Sequence, residues 1–524
     1  MSTVDRRSFF RLSSGAAVTT AAFAVSLGPV PAWADGRGDE GPDDPHPSAR
    51  QFRAMWISLV ENIDWPSEPG LDAEAQQEEF ETWMDLAREL GLNAVISQVR
   101  PTADAIWPSP HEPWSQYLTG QQGLDPGYDP LAFQVEAAHA RNLEYHAWFN
   151  PYRVAMTDDP STLVEDHPAR VHPEWVFAYG GQLYYDPGIP EVRAFVQDAM
   201  LDAVVRYDVD GAHFDDYFYP YPVEGEEIPD EETFAEHSDG SESIEDWRRE
   251  NVNLLVKEMH ERIHEQKPWV RFGISPFGIW RNSSSDPDGS DTSGSESYDM
   301  ISADSLTWVR EGWVDYINPQ VYWEFGNEAA DYETLAKWWA GAVEGTGVAL
   351  YIGEAAYKAT DGTFPDPAEL GDHLDLTTQL EQVDGNVYFS AVSLRDDTTG
   401  FVEDLVERHY EHPALVPVID SIPGQAPEEP TLISVQRTGT GVLLRWTGRG
   451  TDATSYAIWR LESEQAREKD LADRRNLVAT MRDDGPGLQE FVHDGADGSG
   501  WYVVTAYDRT WRQSDPSDAQ EARG

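Results

Sequence analysis

The chain has 524 residues, of which 95 are acidic and 37 basic, and its formal net charge is −58. A chain of this length divides into two or more domains. Because phosphate contacts need lysine and arginine, this charge excludes nucleic acid as the expected partner. The absence of cysteine excludes disulfides, thiol nucleophiles and zinc–thiolate sites.

The first 34 residues predict a cleaved export signal. Arg6 and Arg7 precede an apolar, alanine-rich run over residues 15–27, and a small-x-small cleavage site ends at Ala34. Paired arginines are typical of the twin-arginine route. An uncleaved anchor is the alternative, although the run is short for a membrane span. We therefore expect a secreted or cell-wall-associated protein without an integral span in its mature form, and a disordered leader over residues 35–50.

Short apolar strands alternate with amphipathic helices over residues 51–412. The predicted strands are Phe52–Leu59, Asn93–Arg100, Glu144–Tyr152, Gly211–Phe218, Arg271–Phe277, Val314–Tyr322, Ala349–Ala355 and Asn386–Leu394. Stripes of period 3.6 lie between them, at Phe80, Trp83, Met84, Ala87 and Leu90, at Val192, Phe195, Val196, Ala199, Met200 and Ala203, and at Val252, Leu255, Met259 and Ile263. Eight such units predict an α/β fold, the (β/α)8 TIM barrel. An open doubly wound sheet is the alternative, but no glycine-rich phosphate loop follows the first strand.

The C-terminal part changes to an all-β pattern. Residues 413–428 are rich in proline and acid, which predicts a semi-rigid linker. Residues 429–520 contain four short alternating strands, Leu432–Gln436, Val442–Trp446, Ser455–Arg460 and Trp501–Tyr507. Trp446 and Tyr502 resemble the core tryptophan and corner tyrosine of an immunoglobulin-like, fibronectin type III sandwich. We expect a spacer module, with sugar binding by exposed Trp459 or Trp511 as the alternative.

Two adjacent carboxylates end the fourth predicted strand. Residues alternate along a strand, so His213 and Asp215 share one face, whereas Ala212 and Phe214 point into the helix layer. Asp215 is then the carboxylate that points into the barrel mouth, where barrel enzymes carry their chemistry. Asp216 points into the loop and supports it. An aspartate pair that only caps a turn is the alternative.

The sixth predicted strand supplies a second acid. Asn318, Gln320 and Tyr322 share a face, and Glu324 continues that register just past the tip. Asp215 and Glu324 are therefore the leading catalytic pair, one as nucleophile or base and the other as proton donor. Asp216 is the third predicted catalytic residue, and Glu354 is a reserve acid.

Rings and hydrogen-bonding side chains at the strand ends predict a sugar-binding surface. The predicted substrate-binding residues are Arg100, Trp107, Trp148, Asn150, Tyr152, His213, Tyr217, Gln320, Tyr322, Trp323 and Glu354, with Tyr219 as a further ring. No haem, nicotinamide or flavin motif is found, so no cofactor is expected. The acidic loop 283–296 is similar to a calcium loop but lacks the closing glutamate, so no metal site is expected.

These motifs together resemble the glycosyl hydrolase-like 10 family. The most specific segments are Gln98-Val99-Arg100-Pro101, Trp148-Phe149-Asn150-Pro151-Tyr152-Arg153, the run from Asp210 to Pro220, and Asn318-Pro319-Gln320-Val321-Tyr322-Trp323. The resemblance implies a barrel that hydrolyses glycosidic bonds, with bacterial peptidoglycan strands, particularly those stripped of stem peptides, as substrate. The fourth-strand motif is also similar to the nucleophile motif of α-amylase-type barrels, which maps onto Asp215.

We therefore expect an exported glycoside hydrolase that acts on cell-wall glycan. A non-catalytic carbohydrate-binding barrel and a wall adhesion or scaffold protein are the alternatives. The sequence leaves the linkage, the stereochemical outcome and the oligomeric state open.

Overall fold

A computed structural model describes residues 48–523 except Pro365, Pro367 and Thr451. The predicted export signal and most of the predicted leader lie outside these residues. Residues 48–50, at the end of that leader, pair with the C-terminal part of the chain, because Ser48 forms a bridge with Asp473 and Arg50 with Leu415.

Eight parallel strands close into a barrel, which confirms the predicted fold class. They are Phe52–Ile57, Ala94–Arg100, Glu144–Phe149, Gly211–Phe214, Arg271–Ile274, Tyr316–Ile317, Ala349–Glu354 and Val383–Tyr388. Neighbours in sequence pair around the barrel, and the first strand pairs with the eighth. The open doubly wound alternative is thereby excluded.

Helices follow the strands and cover the barrel. The longer ones are Ala73–Glu89, Pro130–Ala140, Pro190–Arg206, Ile244–Gln266, Tyr332–Val343, Glu369–Thr377 and Phe401–Arg408. Shorter ones are Gln116–Thr119, Pro168–Val171, Glu231–His237, Ser297–Met300, Ser305–Arg310, Ala356–Thr360, Ala391–Arg395 and Glu468–Ala472. The three predicted apolar stripes lie on the first, third and fourth of the longer helices and pack in the main core.

Several predicted strand ends were wrong. The sixth strand is only Tyr316–Ile317, and Pro319, which has no N–H to donate to a ladder, lies two residues after it. The eighth strand begins at Val383, and the residues from Ala391 onward are helical. A small antiparallel sheet of Arg153–Ala155, Val176–Tyr179 and Gln182–Tyr185, which was not predicted, follows the third barrel strand.

A column of polar side chains runs through the barrel interior. Arg271 lies 3.3 Å from Glu144, whose other oxygen lies 3.0 Å from His146 Nε2. The hydroxyl of Tyr316 contacts Nδ1 of His146 at 2.9 Å and Nδ1 of His213 at 3.0 Å. A Cβ at Gly273 would come within 2.4 Å of the Tyr316 ring, so this glycine makes room for the tyrosine. The column therefore connects the strand starts to the strand ends.

Two antiparallel sheets form a small all-β module at the C-terminus. One contains Thr431–Arg437, Gly441–Thr447 and Leu488–Asp494, and the other contains Leu477–Arg482, Ser455–Leu461, Trp501–Tyr507 and Gln520–Glu521. Trp446 and Tyr502, one from each sheet, lie in one buried cluster between them. The four predicted strands are present, and three more were not predicted.

The module packs against the end of the barrel where the strands begin. Leu415, Val416 and Ile422 of the predicted linker are buried in one cluster with Phe52 of the barrel and Trp459 of the module. The linker is therefore packed over this part of its length. Trp459 is fully buried and Trp511 is 5 % exposed, so neither offers the exposed ring that sugar binding would need.

Candidate active site

Strand register places Asp215 at the barrel mouth. Trp148 pairs with His213, and Phe149 pairs with Phe214, along the third and fourth strands. One residue further on, Asn150 Nδ2 lies 3.2 Å from Asp215 Oδ2, and Trp148 Nε1 donates to the same oxygen at 3.1 Å. The predicted alternation is confirmed, since Phe214 packs edge-to-face on Phe272 in the outer core at 5.0 Å.

The Asp215 carboxyl is 4 % exposed and its surroundings favour the protonated form. Burial, with the neighbouring Asp216 charge second, raises its pKa from 3.8 to about 7. Arg153 and the hydrogen bonds from Tyr217 N and Trp148 act in the opposite direction. A carboxyl with this pKa holds a proton in the weakly acidic to neutral range, which a general acid must do.

Asp216 is also buried and accepts hydrogen bonds from side chains of neighbouring strand ends. One comes from the hydroxyl of Tyr221, and another comes from Gln320 Nε2 at 3.1 Å. The Gln320 amide also donates to the Ser275 carbonyl at 2.9 Å. Residues from the ends of the fourth, fifth and sixth strands therefore meet beside Asp215, and substrate binding by Gln320 stays a prediction.

Aromatic side chains also lie at the ends of several strands. The guanidinium carbon of Arg153 lies 4.7 Å from the Tyr217 ring centroid. On the other side, the rings of Tyr322 and Phe389 stack at 6.5 Å, and Tyr357 meets both edge-on. Trp323 is half-buried and lies against Gly278, which follows the fifth strand. Half-buried rings of this kind can stack on the apolar faces of sugar rings.

Glu324 lies at the start of a turn beyond the sixth strand. Its side chain is half-buried, and Oε1 accepts a hydrogen bond from Asn327 Nδ2 at 2.9 Å. The next amide, that of Phe325, donates to Glu369 Oε1 at 2.6 Å. The pairing of Glu324 with Asp215 in catalysis stays a prediction from register.

Arg100 does not offer its guanidinium to the mouth. It is fully buried, with Nε and Nη2 bound to the Glu112 carboxylate at 2.7 and 2.5 Å. Nη1 donates to the carbonyls of Asn150 and Pro151. The pairing register shifts between Gln98 and Arg100, and such an irregularity re-aims a side chain. The prediction that Arg100 binds substrate is corrected, because the residue fixes the loop after the third strand.

Three predicted rings are structural as well. Trp107, Tyr152 and Tyr219 are at most 1 % exposed and belong to the main hydrophobic core. Trp107 also donates to Asp202 Oδ2 at 2.8 Å. The predictions that these rings stack on substrate were wrong, because strand-end position alone does not show whether a ring faces the mouth or the helix layer.

Glu354 points away from the mouth into the helix layer. Its carboxylate accepts from Tyr332 Oη at 2.6 Å, Asn386 Nδ2 at 2.8 Å and His373 Nδ1 at 3.0 Å. Its neighbour Gly353 instead faces Trp56 in the barrel interior. Alternation therefore directs Glu354 outward, and its prediction as a substrate-binding reserve acid is corrected.

His213 lies in the layer below the mouth. It is fully buried, and its Nε2 contacts Trp56 Nε1 at 3.3 Å and Ser275 Oγ at 3.0 Å. Burial, with His146 second, lowers its pKa well below 6.5, so the ring is neutral. The prediction that His213 binds substrate is corrected, because this buried ring packs against Trp56 and Ser275 below Asp215.

The structure places in the site three residues that were not predicted from the sequence. Arg153 acts electrostatically on Asp215, Tyr221 holds Asp216, and Phe389 stacks on Tyr322. Arg153 ends the family-specific segment that begins at Trp148, so that segment was the available signal in the sequence. Tyr221 follows the fourth strand by several residues, where no strand period applies.

The profile of the family described as glycosyl hydrolase-like 10 matches residues 51–368. "Glycosyl hydrolase YngK" of Bacillus subtilis is 46 % identical over 483 residues, which cover 90 % of this chain and 93 % of that protein. The chain belongs to the glycosyl hydrolase-like 10 family. A second family relative is "Glycosyl hydrolase DigH" of Escherichia coli K12, which is 40 % identical over 376 residues, 67 % of this chain and 85 % of that protein.

Solved structures of lower similarity include the glycoside hydrolase domain of PgaB from Bordetella bronchiseptica. It is 13 % identical, has a TM-score of 0.43, and the match covers 68 % of this chain and 98 % of that one. The α-L-fucosidase isoenzyme 2 of Paenibacillus thiaminolyticus is 12 % identical with a TM-score of 0.44, over 87 % of this chain and 74 % of that one.

Membership of a glycosidase-type family implies a glycan substrate. Within residues 48–523, apart from the three undescribed positions, no helix is long and apolar enough to cross a bilayer. In the loop 283–296, Asp286 pairs with Arg281 at 3.1 Å and Asp288 with Arg310 at 2.9 Å. These two carboxylates therefore have arginine partners in the loop that is similar to a calcium loop.

Proposed function

We propose that this protein is an exported glycoside hydrolase that cleaves glycosidic bonds in bacterial cell-wall glycan. The observation that carries the proposal is Asp215, a buried carboxyl at a strand end whose pKa is raised to about 7. It is bound by Trp148 and Asn150 and by the backbone N–H of Tyr217, whose ring is half-buried. Protonation of the leaving oxygen by a carboxyl with a raised pKa is the step that glycosidic cleavage requires.

In this mechanism Asp215 donates the proton and Glu324 is the opposing carboxylate. Asp216 holds Gln320 and Tyr221 at the edge of the site and thereby shapes the surface beside Asp215. Tyr217 and Trp323, which are half-buried, supply stacking surfaces for sugar rings, whereas the buried Trp148 binds the Asp215 carboxyl. The separation of the two carboxyl groups decides between retention and inversion.

The proposed export route, the proposed substrate and the proposed identity of the C-terminal module each have separate support. The paired arginines and the apolar run before Ala34 support export by the twin-arginine route to the cell wall or the medium. The family resemblance supports peptidoglycan strands as substrate. An arrangement of three and four strands in two sheets supports a fibronectin type III-like identity for the C-terminal module.

The test compares Asp215→Asn and Glu324→Gln on purified, peptide-free glycan strands. Each substitution removes an ionisable group and keeps its shape, so turnover should fall about 10²- to 10⁴-fold. Glu328→Gln is the matched control, because Glu328 is exposed on the same loop as Glu324. Mass spectrometry of the reducing ends released by the native chain identifies the bond.

Near-normal turnover in both variants would remove this site from the mechanism. Binding of glycan strands without release of reducing ends, by the native chain, would instead support the carbohydrate-binding alternative.

A further inference from the structure

A cluster of two histidines and one aspartate lies at the opposite end of the barrel from Asp215. His260 and His264 are on the helix Ile244–Gln266, four residues apart and so on one face. Asp315 immediately precedes the sixth strand. One ligand atom from each residue can be chosen so that all lie within 4.8 Å of one another.

The distances within this cluster fit a small divalent cation. Nε2 of His264 lies 3.1 Å from Asp315 Oδ2, and Nε2 of His260 lies 3.7 Å from Asp315 Oδ1. Two ligands in tetrahedral coordination to zinc, each at about 2.0–2.1 Å from the ion, lie about 3.4 Å apart. These two separations, which are measured to different oxygens of Asp315, lie on either side of that value, and no pair of the chosen ligand atoms is more than 4.8 Å apart.

Backbone groups hold two of these three side chains in place. The N–H of Phe272 donates to Asp315 Oδ2 at 2.7 Å, so the carboxylate is fixed on the backbone of the fifth strand. The His264 ring forms a hydrogen bond with the backbone of Val270. Since its Nε2 faces Asp315, Nδ1 is the nitrogen that reaches Val270. Metal-binding histidines are commonly oriented by such a second bond.

The contact of His264 with Asp315 is close but poorly directed for a hydrogen bond. Nε2 of His264 is buried as an atom, yet it has no well-aligned hydrogen-bond partner among the described residues. The rings of His260 and His264 meet edge-to-face at 4.3 Å, with each side chain about one-fifth exposed. The ligand atoms of all three residues therefore lie close together, and both imidazole rings are partly open to solvent.

We propose that His260, His264 and Asp315 form a site for a first-row divalent transition metal ion, with zinc as its best occupant. Two imidazoles and one carboxylate are a common zinc ligand set, and water completes the tetrahedron. The ion would join the helix to the starts of the fifth and sixth strands and so stabilise the barrel. This inference is independent of the proposed hydrolase function.

Calorimetric titration of the chelator-treated full chain with Zn²⁺ tests the proposal. One equivalent should bind saturably and raise the Tm by about 2–5 °C, because a ligand that binds only the folded state stabilises it. His260→Gln and His264→Gln should each weaken binding at least 10-fold. Co²⁺ should give the visible absorption of tetrahedral coordination, whereas Mg²⁺, which prefers oxygen ligands, should leave the Tm unchanged.

His172→Gln is the matched control. His172 is an exposed histidine 3.1 Å from Glu174 but is not part of the three-residue cluster, so its loss should leave zinc binding unchanged. Circular dichroism of each metal-free variant establishes that it is folded. The proposal is overturned if Zn²⁺ does not bind saturably, or if it binds equally well to both cluster variants, since surface carboxylates would then be its ligands.

Discussion

At the scale of single residues, the protonation of Asp215 depends on opposing contacts. Burial and the Asp216 charge raise its pKa, whereas the Trp148 N–H and Arg153 favour the carboxylate. A general acid must hold its proton, so turnover should fall as pH rises through about 7. In the pH profile, the position of this descending limb therefore measures the pKa of Asp215 that these contacts set.

Trp148→Phe should move the descending limb to higher pH by roughly one unit. The substitution removes a hydrogen bond to the ionised form, so the pKa of Asp215 rises, and one pKa unit corresponds to about 1.4 kcal/mol. The measurement is the pH profile of kcat/KM on glycan strands.

The matched control is Trp323→Phe, which changes another ring at the mouth, where Trp323 lies against Gly278. It should change KM and leave the limb in place. A limb that moves to lower pH in Trp148→Phe would contradict the assignment of Asp215 as the acid.

At the scale of elements, the loop that carries Glu324 is held from the helix Glu369–Thr377. Glu369 accepts from the Phe325 amide, and its other neighbour is His373 Nε2 at 3.3 Å. His373 in turn contacts Glu354 and stacks on Tyr332 at 3.4 Å. Glu354 therefore belongs to the support of the loop rather than to the substrate surface.

Glu369→Ala should lower kcat/KM on glycan strands about 10-fold, because it frees the amide next to Glu324. A displacement of an ångström can cost up to about 10²-fold in rate. Asp372→Asn is the control, since Asp372 is exposed on the same helix and pairs with Arg408 instead. Equal activity of both variants with the native chain would show that the loop needs no such support.

Some of these elements could be predicted from sequence and some could not. Alternation along the fourth strand correctly directed Asp215 inward and Phe214 outward, because a period of two is a local property. The same reasoning failed for Arg100, whose partner Glu112 lies beyond the strand, and for Glu354, whose partners lie on two helices and on the eighth strand. A pairing between distant segments leaves no local period in the chain.

The proposed metal cluster shows the same limit. The spacing of His260 and His264 is visible in the sequence, but the third member, Asp315, lies on another element. The folded barrel places Asp315 next to the helix that carries the two histidines. The fold class could be predicted because eight units repeat, whereas the sixth and eighth strand ends depended on Pro319 and on the helix from Ala391.

At the scale of the whole molecule, the C-terminal module covers the end of the barrel where the strands begin. Trp511 Nε1 donates to Glu144 Oε1 at 2.7 Å, and Ser455 Oγ donates to Asn142 at 2.7 Å. Buried apolar residues of the linker and the module share a cluster with the first barrel strand. A chain that ends at residue 412 would expose this apolar surface of the barrel, so the module contributes to the stability of the barrel.

Trp511→Ala should lower the free energy of unfolding by about 3–5 kcal/mol, the usual cost of removing a buried tryptophan. Leu488→Ala is the control, because Leu488 is 51 % exposed on the outer surface of the module and should change stability by less than about 0.5 kcal/mol. Denaturant titration measures both. A small effect of Trp511→Ala would show that the module is only loosely attached.

The polar column inside the barrel fixes the positions of its protons. One hydroxyl, that of Tyr316, serves two imidazoles, and a hydroxyl carries a single hydrogen. The Trp56 N–H must donate to His213 Nε2, so the hydrogen of His213 is on Nδ1 and points to Tyr316. The Tyr316 hydroxyl then donates to Nδ1 of His146. The hydrogen of His146 is therefore on Nε2 and is donated to Glu144. All four bonds run the same way along the barrel axis, so the two rings are locked in opposite tautomers, and a reversal at either end would require every proton between them to move.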